Sequence, residues 1–129
     1  PRGSIALLYL FLFAAVKTGI GMVGGRARGV RKGLAVRVVR GPKEITGISI
    51  PVAGPVIIGR SPDADLVIAD DFVSSTHAKI TPSETGYVLE DLHSTNGTLL
   101  NSQPVTRPMP VAAGDVIELG QNRLEVVRL

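Results

Sequence analysis

The chain has 129 residues, no cysteine and a formal net charge of +3. A chain of this length is expected to form one domain with a short appendage. The lack of cysteine excludes disulfide bonds and cysteine-ligated zinc. Residues 1–43 carry nine Lys or Arg and no acidic residue, whereas residues 44–129 carry five Lys or Arg against eleven Asp or Glu. The acidic C-terminal part argues against a nucleic-acid-binding domain there.

An apolar run lies near the start of the chain. Residues 1–4 resemble the remnant of a protease-cleavable purification tag and are set aside. Residues 5–16 are all apolar, and residues 5–25 as a helix would reach about 31 Å, close to the hydrocarbon thickness of a bilayer. Lys17 lies inside this span, where a lysine side chain can extend toward the membrane surface. We therefore expect residues 5–25 to be a membrane anchor segment.

A basic linker, residues 26–32, follows the anchor segment and contains Arg26, Arg28, Arg31 and Lys32. Positive charges next to a membrane span favour the cytoplasmic side. This pattern predicts a single-pass protein of the cell membrane with its C-terminal domain in the cytoplasm. A secretory signal peptide and a soluble amphipathic helix remain alternatives for the apolar run. No aromatic residue alternates with the arginines, so nucleic acid is not an expected partner.

From residue 33 onward, short β-branched runs alternate with Gly, Pro, Asp and Asn, a pattern typical of strands and turns. No apolar stripe with helical spacing is long enough for a helix. The prolines at 104, 108 and 110 indicate an edge or a loop. We therefore predict an all-β sandwich over residues 33–129. Strands are expected over residues 34–39, 45–50, 56–58, 66–68, 77–81, 87–92, 98–100, 116–119 and 123–129.

Three polar clusters fall between the predicted strands: Gly59-Arg60, residues 74–77 (Ser-Ser-Thr-His) and residues 94–98 (Ser-Thr-Asn-Gly-Thr). An arginine, several hydroxyls and a carboxamide suit the binding of a phosphate group. Each cluster alone has a structural explanation, because Asn-Gly favours a tight turn and a single histidine is commonly a buried loop residue. The clusters offer no nucleophile with an activating base and no set of metal ligands. We expect no enzyme activity, no catalytic residue, no metal and no cofactor.

In their order and spacing these clusters resemble the forkhead-associated (FHA) domain. Asn101 and the Gly114-Asp115 pair extend the resemblance, which covers about residues 34–129. It implies an eleven-stranded β-sandwich whose loops at one end bind phosphothreonine peptides. The chain as a whole resembles small bacterial membrane-anchored FHA signalling proteins. The resemblance implies phosphothreonine-containing proteins as partners, including a Ser/Thr kinase or its substrates.

The resemblance also assigns roles to individual residues. Arg60 and Ser74 are expected to contact the phosphate, with Ser75 and Thr95 adding polar contacts. Asn96 is expected to hydrogen-bond the peptide main chain. The motif residues Gly59, His77 and Gly97 are expected to shape the loops.

Two positions depart from the usual FHA pattern. Ser75 occupies a place where Arg or Asn is frequent, and Ser102 stands where Gly is usual. The first departure leaves open a phosphate-independent scaffold or self-association domain. The sequence also leaves open whether Thr18 or Thr46 is itself phosphorylated.

Overall fold

The computed structural model describes residues 33–129. The expected tag remnant, anchor segment, basic linker and Thr18 lie outside the described residues. Across residues 33–129 there is no helix, and hence none that is long and apolar enough to cross a membrane.

Eleven short strands form the described part of the chain, which confirms the all-β prediction. They are β1 (Leu34–Arg40), β2 (Ser49–Pro51), β3 (Val56–Gly59), β4 (Leu66–Val67), β5 (Ala78–Ser83), β6 (Gly86–Asp91), β7 (Thr98–Leu100), β8 (Gln103–Pro104), β9 (Met109–Val111), β10 (Val116–Leu119) and β11 (Asn122–Arg128). One sheet has the order β2-β1-β11-β10-β7-β8, and the other has the order β4-β3-β5-β6-β9. Only the β3–β4 pair is parallel within these sheets.

The β1–β11 pair lies within the six-stranded sheet and joins the first and last strands of the described part. Leu34 lies opposite Arg128, and Val36 lies opposite Val126. Val36 and Val126 point inward and are buried. On the outer face of the same sheet, Arg37 lies opposite Glu125 and forms a 2.9 Å ion pair with it.

A core of aliphatic side chains fills the space between the two sheets. Both sheets contribute, because alternate residues of each strand point inward. Each fully buried side chain of this size stabilises the fold by about 1.5–3 kcal/mol through removal from water. The largest buried aliphatic side chains are Ile58, Ile68, Ile80, Leu89, Ile117, Leu119, Leu124, Val36, Val38, Val73 and Val126.

The strand predictions fail in two places. Residues 45–47 form a turn instead of the start of a strand, because the N–H groups of Ile45 and Thr46 bond to the Pro42 carbonyl and Gly47 has a φ of 91°. The alternation of residues 45–50 was therefore misleading, and the strand begins at Ser49. Strands β8 and β9 were not predicted, although both are edge strands, as the prolines around them indicated.

The turn between β7 and β8 is a tight two-residue hairpin formed by Asn101 and Ser102. Leu100 pairs with Gln103, and the two loop residues have φ values of 50° and 70°. This left-handed backbone is the one that Asn-Gly favours in hairpins. Ser102 therefore adopts a conformation in which its Cβ is strained. The Asn101 side chain bonds Asp115 and the Val116 N–H, which fixes the turn to β10.

Candidate functional site

Three segments meet at one end of the sandwich and bring the predicted polar clusters together. Arg60 follows β3, and the loop of residues 68–77 leads into β5. The loop of residues 92–97 joins β6 to β7. We refer to residues 68–77 as the serine loop and to residues 92–97 as the asparagine loop. All eight residues that the sequence analysis assigned to the site or its loops lie on these segments or at the end of β3.

Gly59 allows the serine loop to lie directly against the end of β3. The Arg60 N–H donates to the Ser74 carbonyl at 2.9 Å, and the Ser61 N–H donates to the Ser75 carbonyl at 3.1 Å. A Cβ at position 59 would overlap the Ser75 carbonyl oxygen and would lie 2.8 Å from its carbon. Because those atoms are backbone, they cannot give way as a flexible side chain would. The absence of a side chain is the physical reason for glycine here.

Arg60 is exposed, and only part of its guanidinium is engaged within the described residues. Its Nε donates to the Val73 carbonyl at 3.1 Å, while no acidic group among residues 33–129 forms an ion pair with it. The bond at Nε restricts the orientation of the planar group. Its two terminal nitrogens remain available to donate in parallel to an anion.

A hydrogen-bond chain through Ser74 and His77 connects the two loops. The Ser74 hydroxyl oxygen accepts from the Thr95 N–H at 3.0 Å. Since that bond uses an oxygen lone pair, the single hydroxyl proton of Ser74 stays free to donate to a ligand. The Ser74 N–H donates to His77 Nδ1 at 3.0 Å, and His77 Nε2 lies 2.8 Å from the Gly97 carbonyl.

His77 is fully buried, and its two contacts define its role. A ring nitrogen that accepts from an N–H carries no proton, so Nδ1 is the acceptor and Nε2–H donates to Gly97. The imidazole is a bridge between the serine loop and the asparagine loop. Gly97 itself has a φ of 87°, which a residue with a side chain rarely adopts.

Asp91, which the sequence analysis did not single out, holds the asparagine loop together. Its Oδ1 accepts from the hydroxyls of Ser94 and Thr98, both at 2.6 Å, and its Oδ2 accepts from the Ser94 N–H at 3.0 Å. The Ser94 hydroxyl also accepts from the Gly97 N–H at 2.9 Å. Ser94 and Thr98 thus support the loop. Their spacing from Asp91, three and seven residues, is the pattern that would have revealed it.

The carboxylate of Asp91 is stabilised in its charged form. Burial by itself would raise the pKa of Asp91, but the hydrogen bonds from Ser94 and Thr98 outweigh that effect and hold the pKa below its ordinary value. The loop is therefore held by a carboxylate that stays ionised under neutral conditions.

Asp70 ties the serine loop to the β10–β11 turn and was also missed. Its Oδ1 accepts from the Phe72 N–H, and its Oδ2 accepts from the buried Asn122 side chain at 2.8 Å and from the Gln121 N–H. The Phe72 bond is the main reason that the pKa of Asp70 is lowered. A Cβ on Gly120 would lie 2.7 Å from the Asp70 carboxylate, so glycine is needed at this turn.

Asn96 lies at the rim between the two loops and bonds across them. Its Nδ2 donates to the Phe72 carbonyl at 2.9 Å. The side chain is exposed, and this bond leaves one N–H and the Oδ1 acceptor available. A donor and an acceptor side by side are what pairing with a peptide main chain requires.

The loops enclose a shallow depression of about 120 Å³, which we call the apical depression. It is lined by Arg60, Asp71, Phe72, Val73, Ser74, Thr95 and Asn96. This volume suits one phosphoryl group and is below the roughly 300–1,000 Å³ of small-molecule pockets. Four of the five predicted contact residues line it, and Ser75 does not. The exposed Ser75 holds Ser61 through its carbonyl, and its contact with a ligand stays a prediction.

The chemistry available in the depression is that of binding. The Arg60 cation, the hydroxyls of Ser74 and Thr95, the Asn96 carboxamide and the Asp71 carboxylate line it. Among residues 33–129 no group of three or more His, Cys, Asp or Glu is arranged to hold a metal ion. Both ring nitrogens of His77 are engaged within the fold, so the described site has no imidazole base next to a nucleophile.

Comparisons with known proteins agree with this architecture. The FHA domain model matches residues 56–120. FhaB of Mycolicibacterium smegmatis, an FHA domain-containing protein, is 32% identical over an alignment of 143 residues. That alignment covers 96% of this chain and 92% of FhaB. A solved structure from a study of phosphothreonine-dependent FHA domain interactions is 34% identical with a TM-score of 0.66, and the match covers 74% of this chain and 95% of that one. The FhaA FHA domain, solved with the intracellular domain of Rv3910, is 34% identical with a TM-score of 0.63, covering 72% and 98% of the two chains. This chain belongs to the FHA domain family.

Proposed function

We propose that this protein binds phosphothreonine-containing peptides at the apical depression and thereby recruits partner proteins phosphorylated by a Ser/Thr kinase. The observation that carries the proposal is the convergence of the Arg60 guanidinium and the Ser74 hydroxyl in a depression of single-phosphate size. The phosphothreonine-dependent interactions of the FHA domain that is 34% identical support the same assignment. Arg60 and Ser74 would hold the phosphate, while Thr95 and Asn96 would position the peptide.

Local contacts must provide the binding energy. A phosphothreonine carries about −1.5 to −2 charges at neutral pH and three acceptor oxygens. Residues 44–129 carry six more acidic than basic residues, so at long range this part of the chain repels an anion. A fork of two charge-assisted bonds from Arg60 offsets this, since each such bond is worth about 1.5–3 kcal/mol. The exposed Phe72 lines the depression, and its ring would cover the threonine methyl, a gain of about 0.8 kcal/mol or roughly fourfold in affinity over phosphoserine.

The test is calorimetric titration of the full chain with a degenerate phosphothreonine peptide pool, its phosphoserine counterpart and the unphosphorylated pool. We expect binding of the phosphothreonine pool, binding about fourfold weaker for phosphoserine, and none without phosphate. Arg60→Ala should abolish binding. Arg60→Lys keeps the charge but loses the fork and the bond to Val73, and it should weaken binding about tenfold or more.

Arg128→Ala is the matched control, because Arg128 is exposed at the far end of β11, about 20 Å along the strand from the β10–β11 turn. Its affinity should equal that of the unchanged protein. Phosphopeptide binding that survives in Arg60→Ala would contradict the assignment of the phosphate to this depression. Partner binding without phosphate that also survives Arg60→Ala would instead indicate a phosphate-independent scaffold or self-association domain.

We further propose that residues 5–25 anchor the protein in the cell membrane, with the FHA domain on the cytoplasmic side. The apolar length of this segment and the basic residues of the linker support the proposal. Membrane fractionation of the untagged protein tests it. Recovery in the membrane pellet after a carbonate wash is expected, and recovery in the soluble fraction would refute it.

A further inference from the structure

A second, larger concavity adjoins the apical depression. It has a volume of about 870 Å³ and lies between the end of β1, the serine loop and the β10–β11 turn. We call it the side groove. Asp71 and Phe72 line both the apical depression and the side groove, whereas Arg40 and Pro42 line the opposite wall of the groove. A peptide held by its phosphate at the depression and lying in the side groove would pass these two residues.

Asp70 and Asp71 both line the side groove, but only Asp70 is hydrogen-bonded within the described residues. The neighbouring Asp70 has hydrogen bonds to both carboxylate oxygens. In contrast, the exposed Asp71 side chain has no hydrogen bond or ion pair with any residue from 33 to 129. Because no described residue engages it, this carboxylate is available to a ligand that binds in the depression.

The charge of Asp71 opposes the phosphate that Arg60 attracts, and a cation on the ligand would relieve that opposition. The Asp71 carboxylate and a phosphate bound in the same small depression repel each other, and the repulsion is largest where water is displaced. A Lys or Arg side chain of the bound peptide relieves it by pairing with Asp71. Phe72 is 52% exposed beside Asp71. Its ring offers the aliphatic part of such a side chain an apolar surface and offers the cation an aromatic face.

We infer that Asp71, together with the face of Phe72, selects phosphothreonine peptides that carry a basic residue next to the phosphothreonine. This inference rests on the proposed function and names the class of peptide that the site prefers. Arg40, on the far wall, forms no ion pair with Asp71; its acidic partner among the described residues is Glu118, at 4.0 Å.

The experiment compares phosphothreonine peptides in which each flanking position in turn is Arg, Ala or Glu in an otherwise neutral sequence. Fluorescence anisotropy with the full chain measures each affinity. At one flanking position we expect Arg to bind about three- to tenfold more tightly than Ala, the range that an exposed ion pair and a cation–π contact together supply. Glu at that position should bind more weakly than Ala.

Asp71→Asn should remove this preference and should tighten the binding of the neutral peptide, because the repulsion of the phosphate is gone. Asp71→Glu should retain the preference for Arg. Glu84→Gln removes the same charge in the β5–β6 turn, which begins about 17 Å along β5 from the serine loop, and should change nothing. The preference should also shrink as salt rises, since the screening length falls from about 10 Å at 0.1 M to about 3 Å at 1 M.

The outcomes separate this inference from the proposed function. Phosphothreonine peptides that bind with no position favouring Arg, or a preference that persists in Asp71→Asn, would overturn the role of Asp71 while leaving the phosphate site standing. Failure of every phosphothreonine peptide to bind the unchanged protein would overturn the proposed function itself. An Arg preference that is lost in Asp71→Asn and kept in both Asp71→Glu and Glu84→Gln supports the inference.

Discussion

Replacing Asp91 with Asn should release the asparagine loop and lower the stability of the whole domain. The carboxylate accepts three hydrogen bonds, from the hydroxyls of Ser94 and Thr98 and from the Ser94 N–H. In the amide an NH₂ group replaces one carboxylate oxygen, so at least one donor faces another donor. The remaining bonds lose the contribution of the negative charge.

The size of the stability loss in Asp91→Asn follows from these hydrogen bonds. A bond to a charged acceptor is worth about 1.5–3 kcal/mol and a neutral one about 0.5–1.5 kcal/mol. Losing one of the three and weakening each of the other two by about 1 kcal/mol gives a decrease of about 3.5–5 kcal/mol in the free energy of unfolding. Because Thr98 is only 2% exposed, water cannot easily replace a lost partner there. Asp91→Asn should also weaken phosphopeptide binding, since Thr95 and Asn96 lie on the released loop.

Urea denaturation of the full chain as a function of pH tests this reasoning. The pKa of Asp91 is lower in the folded protein than in the unfolded chain. Its stabilising effect is therefore complete above the unfolded value of about 4 and is lost as the pH falls through the lower folded value. The difference in stability between the unchanged protein and Asp91→Asn should be constant at neutral pH and should shrink in that acidic window.

Two controls accompany the measurement. Thr98→Val removes one donor while keeping the side-chain shape, and it should cost about 1–2 kcal/mol, less than Asp91→Asn. Glu84→Gln removes an exposed acidic group and should stay within about 0.5 kcal/mol of the unchanged protein. An Asp91→Asn protein that unfolds within that same margin at neutral pH would refute the role assigned to the carboxylate.

Three other substitutions test the loops. Ser102→Gly should raise the free energy of unfolding by about 1 kcal/mol in urea denaturation, because Ser102 has a left-handed φ of 70°; an unchanged or lower stability would contradict this. Gly59→Ala should lower the free energy of unfolding by about 1–3 kcal/mol, because the added Cβ overlaps the Ser75 backbone. It should also reduce phosphopeptide affinity at least tenfold in calorimetry, and normal affinity would contradict this prediction. His77→Leu should cost about 2–4 kcal/mol in denaturation, because the Ser74 N–H and the Gly97 carbonyl lose their partner; a loss below about 1 kcal/mol would show that the bridge is dispensable.

Much of the strand arrangement could be read from local patterns. β-branched runs between turn residues located nine segments, and the prolines at 104, 108 and 110 correctly indicated edges. The prediction failed at residues 45–47, where alternation of apolar residues coincided with a turn closed by the Pro42 carbonyl. It also missed β8 and β9, because strands of two or three residues have too few side chains to show a period.

The site residues were predictable only as a set of candidates. Arg60, Ser74, Thr95 and Asn96 were identified from the order of the motifs, and the structure brings them to one depression. Asp70 was missed because an acidic residue in a loop is common and its partners depend on folding. Asp91, at the end of β6, was missed because its short spacing to Ser94 and Thr98 was not used. Asp70 finds Asn122 across 52 positions of the chain, a contact that no local pattern encodes.

The sequence alone determined the all-β class, the likeness to FHA domains and the inventory of phosphate-binding groups, because these depend on residue types and short spacings. The tertiary structure alone decided which groups remain free to bind. Ser74 can donate its hydroxyl proton because the Thr95 N–H occupies an oxygen lone pair. His77 is not available to a ligand, because both of its ring nitrogens are hydrogen-bonded to the two loops. Hydrogen bonding is a matter of distance and direction between residues far apart in the chain, and only the fold sets those.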